Sequence, residues 1–282
     1  MDRHIIILTT DKRQEALGKL LSGQKVRCSW DAYKREDICE KIYVLPTPVS
    51  KLDNNAELKE KLKQELTNCK GPIAVFAGAV NKEWKQFLEE NGIAYWDFMQ
   101  MPEVVEGNAW ITAEATIAEV LLRSLRSICE QTILVTGYGC CGSRIAKAFH
   151  ALGAEVIVAA RKAAVRMQVE EDGYQSVDFS EINSVIDGVD TVINTVPAVV
   201  ITEEIIENMR KDSLIVDIAS SPGGTDFEAA ERHEIPAYLA LGLPGIYTTM
   251  SSAELLKNAI SKHAPLQKDV KEDRQWIFQI II

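Results

Sequence analysis

Basic residues are fewer than acidic ones in this chain of 282 residues. Lys and Arg number 31 against 41 Asp and Glu, which gives a formal net charge of −10 at pH 7. Proteins that bind nucleic acid or acidic membranes carry an excess of positive charge. The charge balance therefore argues against both kinds of partner, and an anionic ligand has to be held by local positive groups.

Long apolar runs are also missing. The first apolar run, His4–Leu8, is too short for a signal peptide, and no uninterrupted stretch reaches the length of about 18 residues that a membrane span needs. We expect a cytoplasmic protein that does not contact a membrane.

Paired cysteine motifs are absent as well. No C-x-x-C spacing occurs among the six cysteines, which are Cys28, Cys39, Cys69, Cys129, Cys140 and Cys141. Such a pattern is typical of reduced thiols. Cys140 and Cys141 are adjacent at a predicted helix N-terminus, which would lower a thiol pKa. The pair could form a redox switch, or it could simply supply small residues to a tight loop.

The most informative segment is a G-x-G-x-x-G motif formed by Gly137, Tyr138, Gly139, Cys140, Cys141 and Gly142. An apolar run, Thr132–Thr136, precedes it, and an amphipathic stretch follows it, so the pattern predicts strand, turn and helix. In this context the glycines allow a tight turn, close approach of a pyrophosphate, and packing of helix on strand. We predict a dinucleotide site, the alternative being a glycine-rich turn in a nucleotide-free α/β domain.

The next apolar run ends in Arg161 and Lys162. NAD-binding units place Asp or Glu about 20 residues after the first glycine to hold the ribose 2′-hydroxyl. A guanidinium and an ammonium suit a 2′-phosphate instead. The sequence predicts NADP rather than NAD as the cofactor, although a solvated basic strand end would look the same.

Strands and helices alternate along the whole chain, which is typical of parallel sheets covered by helices. We predict an α/β fold with two Rossmann-like domains, each a doubly wound parallel sheet, joined by a long connecting helix. The predicted parts are an N-terminal substrate-side domain (1–111), the connecting helix (112–129), a dinucleotide-binding domain with a C-terminal helix (130–263) and a tail (264–282). The first domain includes a predicted strand over Lys25–Trp30. The apolar tail is expected to pack as a strand or on a neighbouring copy of the chain.

Later strand ends of a dinucleotide domain line the nicotinamide. The predicted lining residues are Asn194, Thr195, Val196, Pro197, Ala219, Gly242 and Pro244. Gly223 and Gly224 either offer their N–H groups to a substrate carboxylate or have only a structural role in the loop. Thr225 and Glu228 fit a capping box of the next helix.

Several motifs together resemble the A-subunit family of dipicolinate synthase. They are Asp217–Phe227, Gly242–Gly245, the phosphate loop, the Asn-Thr-x-Pro segment, Asp11-x-Arg13-Gln14 and Thr112-x-Glu114. The resemblance implies an oxidoreductase of spore-forming bacteria that oxidises dihydrodipicolinate to dipicolinate with a nicotinamide cofactor, beside a separate flavoprotein-like second subunit. Departures from the family's pattern occur at Thr9, Thr10, Ala115 and Cys140, where the family tends to have other residues.

A small dicarboxylate substrate would need a positive clamp, and we predict Arg13 for that role, since it follows the first strand. Its alternative is a surface arginine in a helix first turn. Glu114 is the predicted proton acceptor, with Thr112 orienting it, and the alternative for this pair is a helix cap. Asp217 either orients the nicotinamide amide or caps local backbone.

Two other functions remain open on the sequence. One is another NADP-dependent dehydrogenase acting on a small hydroxy or imino acid. The other is a non-catalytic NADP-sensing module. The partners that the sequence allows are a small dicarboxylate, a flavoprotein-like second subunit and a further copy of this chain, with no nucleic acid.

Overall fold

The computed structural model describes residues 3–22, 40–264 and 277–281. The chain divides into two compact units, Met1–Asn108 with Thr248–Ile282, and Ala109–Tyr247. The strand predicted over Lys25–Trp30, with Cys28, and the nearby Cys39 lie outside the described residues.

The first unit contains a five-stranded parallel sheet in the order β11-β1-β2-β3-β4. Its strands are β1 (Arg3–Leu8), β2 (Glu40–Val44), β3 (Ile73–Ala77), β4 (Ala94–Asp97) and β11 (Ile277–Ile281). Its helices are α1 (Lys12–Ser22), α2 (Ala56–Asn68), α3 (Lys82–Glu90) and α10 (Thr249–His263). Short 3-10 helices cover Val49–Asn54 and Phe98–Gln100.

Strand β1 shows why this sheet is buried on both faces. Ile5 and Ile7 belong to one core cluster, while Ile6 and Leu8 belong to another. Successive side chains of a strand point to opposite faces, so a continuous apolar run serves two helical layers.

The second unit contains a six-stranded parallel sheet in the order β10-β9-β8-β5-β6-β7. Its strands are β5 (Thr132–Thr136), β6 (Glu155–Ala159), β7 (Gln175–Val177), β8 (Thr191–Asn194), β9 (Leu214–Asp217) and β10 (Ala237–Leu239). Its helices are α5 (Cys140–Ala151), α6 (Ala163–Glu171), α7 (Glu203–Ile206), α8 (Phe227–Arg232) and α9 (Leu243–Ile246). The strand order is that of a doubly wound dinucleotide-binding sheet, whose order reverses between β5 and β8.

The connecting helix differs from its predicted span. Helix α4 (Pro102–Arg123) begins ten residues before the predicted 112 and ends before 129, and the chain passes from one unit to the other within it. Proline suits the first turn of a helix because it has no N–H to satisfy there, so Pro102 begins the helix. Residues Ile128–Glu130 form a separate 3-10 helix.

The C-terminal helix also differs from the predicted domain boundary, because α10 belongs to the first unit. Ala253, Leu256 and Ile260 lie on one face of α10 and join Leu17 of α1 in a buried cluster. Burial of a leucine or isoleucine stabilises by about 1.5–3 kcal/mol, which fixes the helix there. Of the two alternatives for the tail, a strand is found: Ile277–Ile281 pairs in parallel with β1.

Among the described helices, none is both long and apolar enough to span a bilayer.

Candidate functional site

The phosphate loop lies between β5 and α5, at the carboxyl edge of the second sheet. Gly137 has φ +85°, a left-handed conformation that glycine adopts without strain. A Cβ on Gly142 would lie 2.2 Å from the carbonyl oxygen of Gly137, whereas a Cβ on Gly139 would meet no atom within 4 Å. The protein itself therefore requires the first and third glycines, while the second borders open space.

Helix α5 begins at this open space. Its N-cap is Gly139, and no side chain caps the helix. The first N–H groups of a helix have no partner within it, and the helix dipole makes this end positive. A pyrophosphate group fits a helix start of this kind.

The two loop cysteines differ in their surroundings. Cys140 is exposed, and Cys141 is partly buried against the core cluster of the second unit. Burial raises the pKa of the Cys141 thiol, and the neighbouring Cys140 adds to this effect. The expectation that the helix start lowers the thiol pKa is wrong for Cys141, where desolvation dominates.

Tyr138 anchors the loop rather than facing a ligand with its side chain. Its hydroxyl donates to Asp172 at 2.6 Å, and its ring makes an edge contact with Tyr174. Burial, followed by the hydrogen bond to Asp172, raises the pKa of Tyr138. The hydroxyl of Tyr138 is therefore engaged within the protein.

Replacing Tyr138 by Phe is expected to destabilise the protein by about 1 kcal/mol at neutral pH, because a hydrogen bond of this kind is lost. A raised tyrosine pKa contributes stability below pH about 10 that disappears as pH rises through the folded pKa. The difference between parent and Phe variant in urea unfolding should therefore shrink in alkali. Tyr174→Phe, which leaves the hydrogen bond between Tyr138 and Asp172 in place, is the control, and a constant difference across pH would contradict the assignment.

The basic pair lies between β6 and α6. Arg161 and Lys162 are both exposed, and Lys162 is the N-cap of α6, with no side-chain cap. Arg166 holds this turn by donating to the carbonyls of Ala160 and Arg161 at 2.7 and 3.0 Å and to Asp178 at 2.6 Å. The turn thus presents two cations and a helix start, which are groups that favour phosphate binding.

The Asn-Thr-x-Pro segment ties the ends of two strands together. The Asn194 side chain accepts from the Thr136 hydroxyl and the Val196 N–H and donates to the Val196 carbonyl. The Thr195 hydroxyl donates to the Thr136 carbonyl at 2.7 Å. The side chains of Asn194 and Thr195 are therefore engaged within the protein, whereas Pro197 is exposed.

Asp217 resolves the alternatives for the next loop. Its buried carboxylate accepts from the N–H groups of Ala219 and Gly224 at 3.0 and 2.7 Å and from the Thr225 hydroxyl at 2.8 Å. The Gly223 N–H donates to the Ser220 carbonyl. Neither glycine N–H is available to a substrate carboxylate, and Asp217 caps local backbone.

The predicted capping box is also wrong. Asp226, not Thr225, is the N-cap of α8, and its side chain accepts from the Ala229 N–H at 2.9 Å. Thr225 is drawn to Asp217 instead, because a buried carboxylate needs donors.

The segment after β10 forms the short helix α9. Gly242 is its N-cap with φ +66°, and Pro244 is buried. The Tyr247 hydroxyl donates to Glu119 on α4, and this bond, with burial, raises the pKa of Tyr247. No sequence signal pointed to this tether, since its partners are far apart in the chain.

The predicted catalytic pair on α4 is not brought together. Thr112 is buried and Glu114 is exposed. Residues two apart on a helix do not face each other, so Thr112 cannot orient Glu114. A helix cap is excluded too, because both lie inside Pro102–Arg123.

Arg13 belongs to the first unit, at the carboxyl end of β1 in the first turn of α1. It is 8% exposed, so it is not a surface arginine. Its Nη2 lies 3.4 Å from Asp11 Oδ2. Burial lowers the pKa of Arg13 from its ordinary value, with Asp11 opposing this effect.

Within the second unit, all predicted cofactor residues lie at or after the carboxyl ends of parallel strands, which share one edge of the sheet. The register supports this, since Thr136 pairs with Asn194 and Asn194 with Asp217. Their contacts to a cofactor stay a prediction. No cluster of metal-ligating side chains is found in the described part of the chain.

Comparison with known proteins shows to which family the chain belongs. A family profile described as the alanine dehydrogenase/PNT C-terminal domain matches residues 104–274. The A subunit of dipicolinate synthase from Bacillus subtilis (strain 168) is 32% identical over 215 residues, which cover 76% of this chain and 72% of that protein. The chain belongs to the dipicolinate synthase A-subunit family.

Solved structures agree with this membership. The dipicolinate synthase A-subunit structure from Bacillus halodurans superposes with a TM-score of 0.78 at 25% identity, covering 93% of this chain and 98% of that one. Its counterpart from Bacillus subtilis gives 0.76 at 25% identity, covering 94% and 96%. The predicted fold of two Rossmann-like α/β domains is confirmed. The chain carries the domain of a dehydrogenase-type oxidoreductase, a class that uses nicotinamide cofactors.

Proposed function

We propose that this chain is the dehydrogenase component of a dipicolinate synthase, which oxidises dihydrodipicolinate to dipicolinate with NADP. Family membership supports the reaction. The observation that carries the cofactor assignment is the open space at Gly139 beside the uncapped start of α5, with two exposed cations after the next strand.

The residues fit a dinucleotide through backbone more than through side chains. Gly139, Cys140 and Cys141 would present helix N–H groups to the pyrophosphate. Arg161 and Lys162 would hold the 2′-phosphate. The segments around Val196 and Gly242 would line the nicotinamide, which supplies a hydride acceptor when bound.

The proposed reaction depends mainly on how the substrate is positioned against the nicotinamide. Loss of a hydride and a proton from a dihydropyridine makes the ring aromatic, so acid–base assistance is a small part of the barrier. Arg13 would hold one substrate carboxylate. Glu114 remains the candidate proton acceptor, and because it is exposed, water can carry the proton away.

The partners and location form part of the same proposal. The Bacillus subtilis relative is named as one subunit of its enzyme, which supports a second chain in the working enzyme. We propose that this second chain is a flavoprotein-like subunit, and that the location is cytoplasmic.

Turnover tests the reaction. The purified chain, with and without the flavoprotein-like partner, is given dihydrodipicolinate and NADP⁺, and NADPH formation and dipicolinate are measured together. Equal amounts of both products support the proposal. A protein that binds NADPH tightly but never turns over with the partner present would be a sensor instead.

Exchanging Ala160 for Asp and Arg161 for Ala is expected to move cofactor preference from NADP toward NAD. Charge-assisted hydrogen bonds to the 2′-phosphate are worth about 1.5–3 kcal/mol, which is a preference of roughly tenfold or more. Both dissociation constants are measured by calorimetry at one ionic strength, because salt screens the phosphate contribution.

Lys211→Ala is the matched control, since it removes a cation before β9, at the opposite edge of the sheet. Equal affinity of the parent for NAD and NADP, or an unmoved ratio in the double variant, would refute the NADP assignment.

A further inference from the structure

A charged cluster lies in the first unit, where α1 begins. Arg13 Nη2 and Lys51 Nζ each lie 3.4 Å from the same oxygen, Oδ2 of Asp11. Two cations share one carboxylate, so the cluster carries one positive charge more than its own anion neutralises. The protein as a whole has a net charge of −10, so this positive excess is local.

Arg13 is buried, and an unpaired donor costs free energy in a buried position. Its side chain is 10% exposed, and its Nε is buried without a partner among the described residues. The Thr9 hydroxyl, on the same turn, is likewise buried and without a partner there. Buried polar groups are nearly always hydrogen-bonded, so two orphaned groups on one turn indicate an acceptor that a ligand supplies.

Hydrogen bonds within the protein hold this turn. Asp11 Oδ1 accepts from the Gln14 N–H at 3.1 Å, and the Gln14 side chain donates to the Leu45 carbonyl at 3.1 Å. Leu45 follows β2, the neighbour of β1. Ligands of α/β sheets bind outside the carboxyl ends of the strands.

We infer that Asp11, Arg13 and Lys51 form a carboxylate site in which Lys51 is the second cation and Asp11 is a built-in counter-ion that weakens ligand binding. The inference deepens the proposed function and rests on it: it assigns Lys51 and Asp11 to the site where Arg13 would hold one carboxylate of the substrate. One unpaired positive charge matches one carboxylate group. Arg13 supplies donors in a fork, and Lys51 supplies a point charge.

Lys51→Gln is the first test, measured by calorimetry of the full chain with dipicolinate in the presence of NADPH. Binding should weaken by about tenfold or more, as expected for loss of a charge-assisted contact. Lys12→Gln removes the same charge from an exposed position on α1 and should leave the affinity unchanged. Thermal unfolding confirms that each variant is folded.

Asp11→Asn tests whether Asp11 acts as a counter-ion or as a group that orients the two cations. Asparagine caps a helix as well as aspartate does, so α1 keeps its start while the cluster loses its negative charge. Carboxylate binding should tighten several-fold, because the ligand no longer competes with an internal anion. Weaker binding would overturn the counter-ion role.

Binding of a panel of small carboxylates distinguishes failure of this inference from failure of the proposed function. If dipicolinate fails to bind but lactate or alanine binds with the same response to Lys51→Gln and Asp11→Asn, the site stands and the proposed substrate fails. If dipicolinate binds and Lys51→Gln behaves like Lys12→Gln, the inference fails and the proposed function stands. If the parent binds no carboxylate at all, the inference is overturned.

Discussion

Gly139→Val should weaken NADPH binding by at least about a hundredfold, equivalent to about 2.7 kcal/mol, while the protein stays folded. The backbone at Gly139 has φ −82°, which any residue adopts, and a Cβ there meets no protein atom within 4 Å. The valine side chain therefore takes only the space beside the start of α5, where the pyrophosphate is proposed to lie. Calorimetry measures the affinity, and urea unfolding measures the stability.

The control is Gly188→Val, at a second position where a Cβ meets nothing within 4 Å. It lies in a 3-10 helix before β8, at the opposite edge of the sheet. Binding should be unaffected there. An NADPH affinity in Gly139→Val within tenfold of the parent's would end the assignment of the phosphate loop.

Asp217→Ala is expected to lower the free energy of unfolding by about 3–5 kcal/mol, because several buried donors lose their acceptor at once and each costs about 1–3 kcal/mol when unsatisfied. The donors are the N–H groups of Ala219 and Gly224 and the Thr225 hydroxyl. The loop after β9 should loosen with them. Denaturant unfolding of the full chain measures the loss.

Asp187→Ala provides the comparison, since that aspartate is exposed and its loss should change stability by no more than about 0.5 kcal/mol. If Asp217 instead oriented the nicotinamide, its removal would leave stability intact and weaken only cofactor binding. That outcome would contradict the structural role.

The fold and the phosphate loop could be predicted because their signals are local. Glycines at 137, 139 and 142 between an apolar run and an amphipathic stretch define strand, turn and helix without help from distant residues. The runs of Ile, Leu and Val in β1 and β5 likewise match strands buried on both faces.

What the sequence could not supply depends on side-chain direction and distant partners. Gly224 has its N–H turned to Asp217, and Tyr138 reaches Asp172, 34 residues away. No period or motif encodes such contacts. The predicted membership of α10 failed for the same reason, since its apolar face fits either domain until its partner on α1 is known.

The pairing of β11 with β1 bears on how the chain folds during synthesis. The second unit is one continuous segment, Ala109–Tyr247, and all of its strands are made before α10 and β11. The first unit draws on both sides of that segment, so its sheet gains β11 only after the whole second unit has been synthesised. The second unit can therefore fold while the unit that contains Arg13 still lacks its edge strand β11.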